Sequence, residues 1–211
     1  MNKLIKNIKL FCDQMSSNPQ NFSLVMSKAE VEFLKREIQT VKTYLEFGSG
    51  GSTILAVLYS NLTKIVSVES DMEYIQFLRK WRIIRQAENK KLFFFPVNIG
   101  KVGRWGYPAE EDKRELFPLY SSKVFETDVN YDLVLIDGRF RCACALKVAQ
   151  YSSDETKILI HDYVNRPAYH CIEQFLEKIV TVDTMVLFKK KKDIDMAFLN
   201  ELYEKYKYER E

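Results

Sequence analysis

Apolar positions along the chain change their spacing several times, and each change marks an element. Leu4, Ile5, Ile8, Leu10 and Phe11 follow a rough helical stripe that stops at a polar break over residues 16–21. Ser27 and Glu30 stand at the spacing of a capping box, ahead of a second stripe of Val31, Phe33, Leu34 and Ile38 that runs toward Thr40. From residue 43 onward, short apolar runs alternate with helical stretches. Strands are expected over 43–47, 64–69, 91–97, 131–137 and 157–160. Helices are expected over 53–60, 72–86 with Asp71 as cap, 142–150 and 169–178. The 131–137 run is nearly all apolar, as befits a strand covered on both faces. Two more β runs, 179–182 and 184–188, are placed to pair antiparallel at an edge. The tail over 193–211 reads as a charged helix with Met196, Leu199, Leu202 and Tyr206 on one side. Repeated strand–helix alternation predicts a doubly wound α/β sheet, mostly parallel, with ligands at the carboxyl ends of its strands.

One segment breaks the alternation. Residues 98–121 hold three glycines, Trp105, Tyr107, Phe117 and Tyr120, and a charged patch over 110–115. Loops this long in a compact domain are usually functional, and this one reads as a lid or acceptor-binding loop. The alternative is a surface loop pinned by Trp105 as a hydrophobic plug.

Length and composition narrow the class. A chain of 211 residues is most simply one domain with a full-sized core. Hydrophobic and charged contents of 46% and 29% are those of an ordinary globular protein, and a net charge of +3 does not by itself imply nucleic acid. Basic residues are dispersed apart from the run Lys189–Lys192, so no nucleic-acid partner is expected; the run reads as a solvated end, with an anionic partner as the alternative. Cys12, Cys142, Cys144 and Cys171 form no C-x-x-C pair and read as free thiols in a reducing compartment. No apolar run reaches membrane-spanning length and the first residues lack a signal-peptide core, so a cytoplasmic location is expected. The oligomeric state is open.

The chemistry concentrates after the first strand. Thr43-Tyr-Leu-Glu-Phe47 runs into the glycine turn Gly48-Ser-Gly-Gly51, with Ser52 or Thr53 expected as the cap of the following helix. A strand, glycine turn and helix aim backbone N–H groups at a ligand. Glu69 closes the second strand, where an acid can bind both ribose hydroxyls of an adenosine. A dinucleotide fingerprint would need a third glycine where Thr53 stands, and Glu46 would repel a pyrophosphate but attract an ammonium or sulfonium. The turn therefore suits a cationic, phosphate-free adenosine ligand, of which S-adenosylmethionine is the obvious one. The rivals are an NAD- or nucleotide-sugar-binding enzyme on the same scaffold, and a non-catalytic binding module.

Glu46-Phe-Gly-Ser-Gly50, Glu69 at the end of strand two, Asp137-Gly138 after strand four and His161-Asp162 after strand five appear in an order that resembles the class I S-adenosylmethionine-dependent methyltransferases. The resemblance runs from about Ser27 to Phe188. It implies a Rossmann-like sheet of about seven strands, with helices on both faces and one reversed strand near the C-terminus. Trp105-Gly-Tyr-Pro108, Asp137-Gly-Arg-Phe-Arg141 and His161-Asp-Tyr163 further resemble small methyltransferase-like proteins among bacterial and viral glycan-modifying enzymes. By that resemblance Glu46, Gly48, Ser49 and Gly50, with Ser52 and Thr53 opening the helix, would hold the methionine moiety. Glu69 and Ser70 would hold the ribose, Asn98 and Ile99 would flank the adenine, and Asp137 would face the sulfonium and the acceptor.

Methyl transfer to oxygen requires a positioned hydroxyl and a group that takes its proton. Asp137, His161 and Asp162 fall at the carboxyl ends of neighbouring expected strands, and His161 has the intrinsic range of a base that Asp137 or Asp162 could orient. Arg139 and Arg141 are candidates to clamp a carboxylate, phosphate or sugar hydroxyls. Trp105, Tyr107, Arg141 and Tyr163 complete the expected acceptor side, for a small-molecule or glycan acceptor. The alternatives are that Asp162 only caps a turn, that His161 bonds within the sheet edge, and that Arg141 is an exposed helix-start charge. His170 reads as structural. In catechol-type O-methyltransferases an asparagine follows the second metal aspartate; Tyr163 stands here, so no metal is expected.

Overall fold

In a computed structural model that describes residues 3–127 and 130–210, the chain opens with α1 (Lys3–Met15) and α2 (Lys28–Gln39). The capping box forms as the spacing predicts: the Ser27 hydroxyl accepts from the Glu30 amide, and the Glu30 carboxylate accepts from the Ser27 amide at 2.7 Å. Next come β1 (Thr43–Phe47), α3 (Gly51–Leu58), β2 (Lys64–Glu69), α4 (Met72–Leu78), α5 (Arg82–Ala87) and β3 (Leu92–Pro96). After a long connection follow α6 (Pro118–Ser122), β4 (Leu133–Ile136), α7 (Arg141–Tyr151) and β5 (Lys157–Ile160). A 3₁₀ segment, Pro167–Gln174, leads to β6 (Leu176–Val182), β7 (Met185–Lys190) and α8 (Met196–Tyr206). Glu211, the last residue of the expected tail helix, lies outside the described residues.

Among the described residues the sheet has seven strands in the order β3-β2-β1-β4-β5-β7-β6. All neighbours from β3 to β5 are parallel, and β7 runs antiparallel to both β5 and β6. Alternate side chains divide between two apolar layers. Val66, Val68, Val134, Ile136, Ile158 and Ile160 pack toward α6, α7 and α8. Ile65, Leu133, Leu135 and Leu159 pack toward α2, α3 and α5. This period of two explains why runs that look uniformly apolar in sequence are strands, each face meeting its own layer of helices.

Two expected elements differ. The single helix over 72–86 is two, because the chain bends at 79–81 to bury Trp81 edge-on to Phe22. Arg85 stabilises the bend by donating to the carbonyls of Arg79 and Lys80 at 2.6 and 2.8 Å, groups that the end of α4 leaves unpaired. The expected helix over 169–178 is a 3₁₀ segment followed by strand, since Leu176, Glu177 and Lys178 pair with Lys190, Lys189 and Phe188. Ladder pairing outweighs local helical spacing there.

The chain steps outward from β1 to β3 and then returns to lay β4 on the other side of β1. Strand order therefore reverses between β1 and β4, and the crevice at their carboxyl ends is where open α/β sheets bind ligands.

Candidate functional site

The crevice is closed by two facing glycines. Gly48 has φ of +97°, and a Cβ on it would lie 2.7 Å from the Cα of Gly138. The amide of Asp137 donates to Phe47 at 3.0 Å, which draws the turns after β1 and β4 together, and that of Gly48 donates to Val68 of β2 at 2.9 Å. Gly138 is equally hemmed in, by the Tyr120 hydroxyl and the backbone of the first turn. The helix cap is Gly50 rather than Ser52 or Thr53, and its amide donates to the Thr53 hydroxyl at 2.9 Å.

Ser52 and Thr53 turn inward to Glu46, which is completely buried. Its carboxylate accepts from the hydroxyls of Thr53, Ser52 (2.7 Å), Ser67 (2.7 Å) and Tyr44 (3.1 Å). Burial pushes its pKa up to about 7 despite the four donors. The sequence expects Glu46 to face a cationic ligand; its carboxylate is engaged by the strand–turn unit itself, and with it the side chains of Ser52 and Thr53. Glu69 keeps the expected position at the end of β2, where it accepts from the amides of Ser49 (3.0 Å), Ser70 (2.7 Å) and Asp71 (2.9 Å). Burial, its largest influence, raises its pKa. The Ser70 hydroxyl beside it is buried without a partner.

Across the crevice, β4 and β5 end in a charged cluster. Asp137 accepts His161 Nδ1 on its Oδ1 at 2.8 Å, and Arg141 Nη2 lies 3.3 Å from the same oxygen; Oδ2 makes neither contact. The Asp137 side chain is 25% exposed and His161 only 7%. His161 Nε2 faces Glu30 of α2 at 3.4 Å and Asp162 at 3.9 Å. Burial pulls the His161 pKa down, but the bond to Asp137 and the charges of Asp137, Asp162 and Glu30 outweigh it, and the net shift is upward. The sequence expects a base at His161; the structure places carboxylates beside both ring nitrogens, which favours the protonated ring. Asp162 adopts a left-handed φ of +54° and meets Arg141 at 3.4 Å and Arg166 at 3.5 Å.

Arg141 is buried and spends its donors on the carbonyls of Gly138 (3.0 Å), His161 (2.6 Å) and Asp137 (3.2 Å). It ties the β4 and β5 turns together. Tyr163 is also buried: its hydroxyl donates to Glu173 at 2.7 Å and its ring packs on Phe188. Ile99 lies in the apolar layer under α6, as do Phe117 and Tyr120, which pack on Phe140. Asn98 is exposed, its Oδ1 accepting from the Gly100 amide at 2.9 Å.

The long connection carries a small tongue. Gly103 donates to Tyr107 at 2.7 Å and Ala109 to Lys101 at 2.8 Å, with Val102 bridged to Pro108. At its tip Trp105 is 64% exposed, which excludes the plug reading, while a Cβ on Gly106 would lie 3.6 Å from the Ser70 hydroxyl, 3.9 Å from Arg139 Cγ and 4.0 Å from Glu69 Oε1. The Arg139 guanidinium lies 4.8 Å from the centroid of the Tyr107 ring, and its buried Nε has no partner. Beside the tongue a cleft of about 420 Å³ is lined by Tyr107, Glu111, Arg114, Tyr208, Glu209 and Arg210.

Two contributions escaped the sequence reading. Glu30 was visible only as a capping-box residue, with nothing to link it to His161. The tail beyond α8 was read as a charged helix, whereas Tyr208 lies under Arg114 and Arg210 over Phe117. No group of three or more His, Cys, Asp or Glu residues among those described is arranged to hold a metal ion. No described helix is long and apolar enough to cross a membrane.

No protein-family model and no curated protein sequence matches the chain. Among solved structures it is similar to a methyltransferase-like protein from Silicibacter pomeroyi, at 29% identity and TM-score 0.80 over 90% of this chain and 99% of that one. It is similar in fold to an O-methyltransferase from Bacillus cereus solved with SAH (16% identity, TM-score 0.52, 90% of each chain). A third neighbour is a putative caffeoyl-CoA O-methyltransferase from Staphylococcus aureus (14%, 0.52, 90% of this chain and 93% of that one). The fold is that of the class I methyltransferases, in keeping with the sequence resemblance.

Proposed function

We propose that the protein is an S-adenosylmethionine-dependent methyltransferase that methylates a hydroxyl on a small-molecule or sugar acceptor. The observation that carries this reading is the pairing, across one switch-point crevice, of Glu69 and the orphaned Ser70 hydroxyl on one side with the partly open carboxylate of Asp137 on the other. The similarity to the Silicibacter pomeroyi protein over nearly the full length of both chains supports it. The residues fit the donor. Glu69 and Ser70 would hold the ribose diol, the amides where the glycine turn enters α3 the methionine carboxylate, and exposed Asn98 the adenine edge. When bound, the cofactor supplies a methyl group on a sulfonium.

The chain's own residues account for the rest. Asp137 Oδ2 takes the acceptor proton or orients the hydroxyl, with Oδ1 held by His161 and Arg141. Arg139, Tyr107 and Trp105 form the wall on the acceptor side, and the adjoining cleft, with two tyrosines and two arginines, suits a planar or sugar face. The positive charge that a divalent cation would bring between Asp137 and Asp162 is carried by Arg141, so EDTA is expected to leave turnover unchanged. Calorimetry tests the donor. S-adenosylhomocysteine should bind and NAD should not, and at a hundredfold excess over Kd it should stabilise the fold by about 2.7 kcal/mol. Binding of NAD in its place would overturn the reading.

A further inference from the structure

His161 is one of two histidines in the chain and has a carboxylate on each ring nitrogen: Asp137 at 2.8 Å on Nδ1 and Glu30 at 3.4 Å on Nε2. The two acids come from opposite sides of the molecule's plan. Asp137 follows β4, whereas Glu30 belongs to α2, which enters before the sheet is formed. Glu30 does more than cap its helix. One oxygen accepts from the amide and hydroxyl of Thr184, at 2.9 and 2.7 Å, and the other from the Ser27 amide. Those neutral donors, with His161, outweigh burial and hold Glu30 ionised below the usual carboxylate range. The further charged groups around the ring are Asp162 on its own turn, Arg141 from α7, which donates to the His161 carbonyl, and Arg166, 3.5 Å from Asp162.

We propose that Glu30 is a positioning residue for Asp137: from α2 it holds the His161 ring on its Nε2 side, so that Nδ1 stays on Asp137 Oδ1 and Oδ2 is left for the acceptor. The proposal rests on the methyltransferase reading for what Asp137 does, but its physical core does not. Without the Glu30 charge, the imidazolium would have a single strong partner and would lose its proton nearer neutrality, and Asp137 would lose a charged donor on Oδ1.

The test starts from the protein carrying His170→Gln, which leaves one imidazole to follow by NMR. Glu30→Gln removes the charge and keeps one oxygen for the Ser27 amide, while its NH2 meets Thr184, whose hydroxyl can turn to accept. The His161 midpoint is expected to fall by about one pH unit in that variant. Ser27→Ala, which weakens the cap and spares the charge, should leave the midpoint in place. A midpoint unmoved by Glu30→Gln, or moved equally by Ser27→Ala, overturns the proposal and leaves Glu30 as a cap. In turnover, at pH values above both midpoints, Glu30→Gln should lower kcat/KM about tenfold, matching the tenfold smaller imidazolium fraction, with S-adenosylhomocysteine affinity unchanged. Failure of S-adenosylhomocysteine to bind the unaltered protein would sink the methyltransferase reading, while the titration would still decide the role of Glu30.

Discussion

Glu46 and Asp137 stand one strand apart, on β1 and just beyond β4, and they solve the same problem in opposite ways. Glu46 is sealed from water and surrounded by four neutral hydroxyls, so its charge is undersupported and its pKa climbs to about 7. Asp137 is a quarter exposed and braced by His161 and Arg141. Neutral donors enclose the first acid as a structural knot, while the second stands at an opening between basic side chains. The sequence motif draws attention to the upstream acid; under the proposed function the more open downstream one meets the acceptor.

The strongest way to break this contrast is Asp137→Asn. It should lower kcat/KM by about 100- to 10,000-fold, the usual worth of a positioned proton acceptor, with S-adenosylhomocysteine still bound by calorimetry. Comparable loss in Glu46→Gln would mean that the two acids had been assigned the wrong way round. Next in size is Glu46→Ala, which strands four buried hydroxyls and should cost about 3 kcal/mol or more in urea unfolding. Glu46→Gln sharpens the point through pH. An acid whose folded pKa is raised from 4.5 to about 7 contributes its stability fully below 4.5 and loses it as pH rises through 7. The stability advantage of the unaltered chain over Glu46→Gln should therefore shrink across that window and level off above it. The smallest effect is expected at Trp105→Ala, where the side chain is mostly solvated. Stability should change by no more than about 0.5 kcal/mol, so a several-fold rise in acceptor KM would report binding alone.

Much of the fold is legible in local pattern because its strands are covered on both faces. The segments 43–47, 64–69 and 157–160 coincide with β1, β2 and β5. Local pattern failed where a distant partner intervened, as at Trp81, whose burial against Phe22 splits a helix, and at Leu176–Lys178, claimed by the ladder to β7. The site divides along the same line. Glu69 and Asp137 are readable because strand ends fix where they lie. Arg141 and Tyr163 look equally available in sequence, yet one is drawn into backbone carbonyls and the other under Glu173. The reach of Glu30 to His161 leaves no trace in spacing, since it depends on how α2 settles against the finished sheet.

The contact of Gly48 with Gly138 has a consequence for variation. Each glycine is the space the other needs, so neither position can be explored alone. In a saturation library of this chain, survivors selected for folding should return glycine at both sites, and a double substitution should fare no better than a single one. Tolerance would instead appear at Gly50, where the nearest atom to an added methyl is the Tyr74 hydroxyl at 3.9 Å.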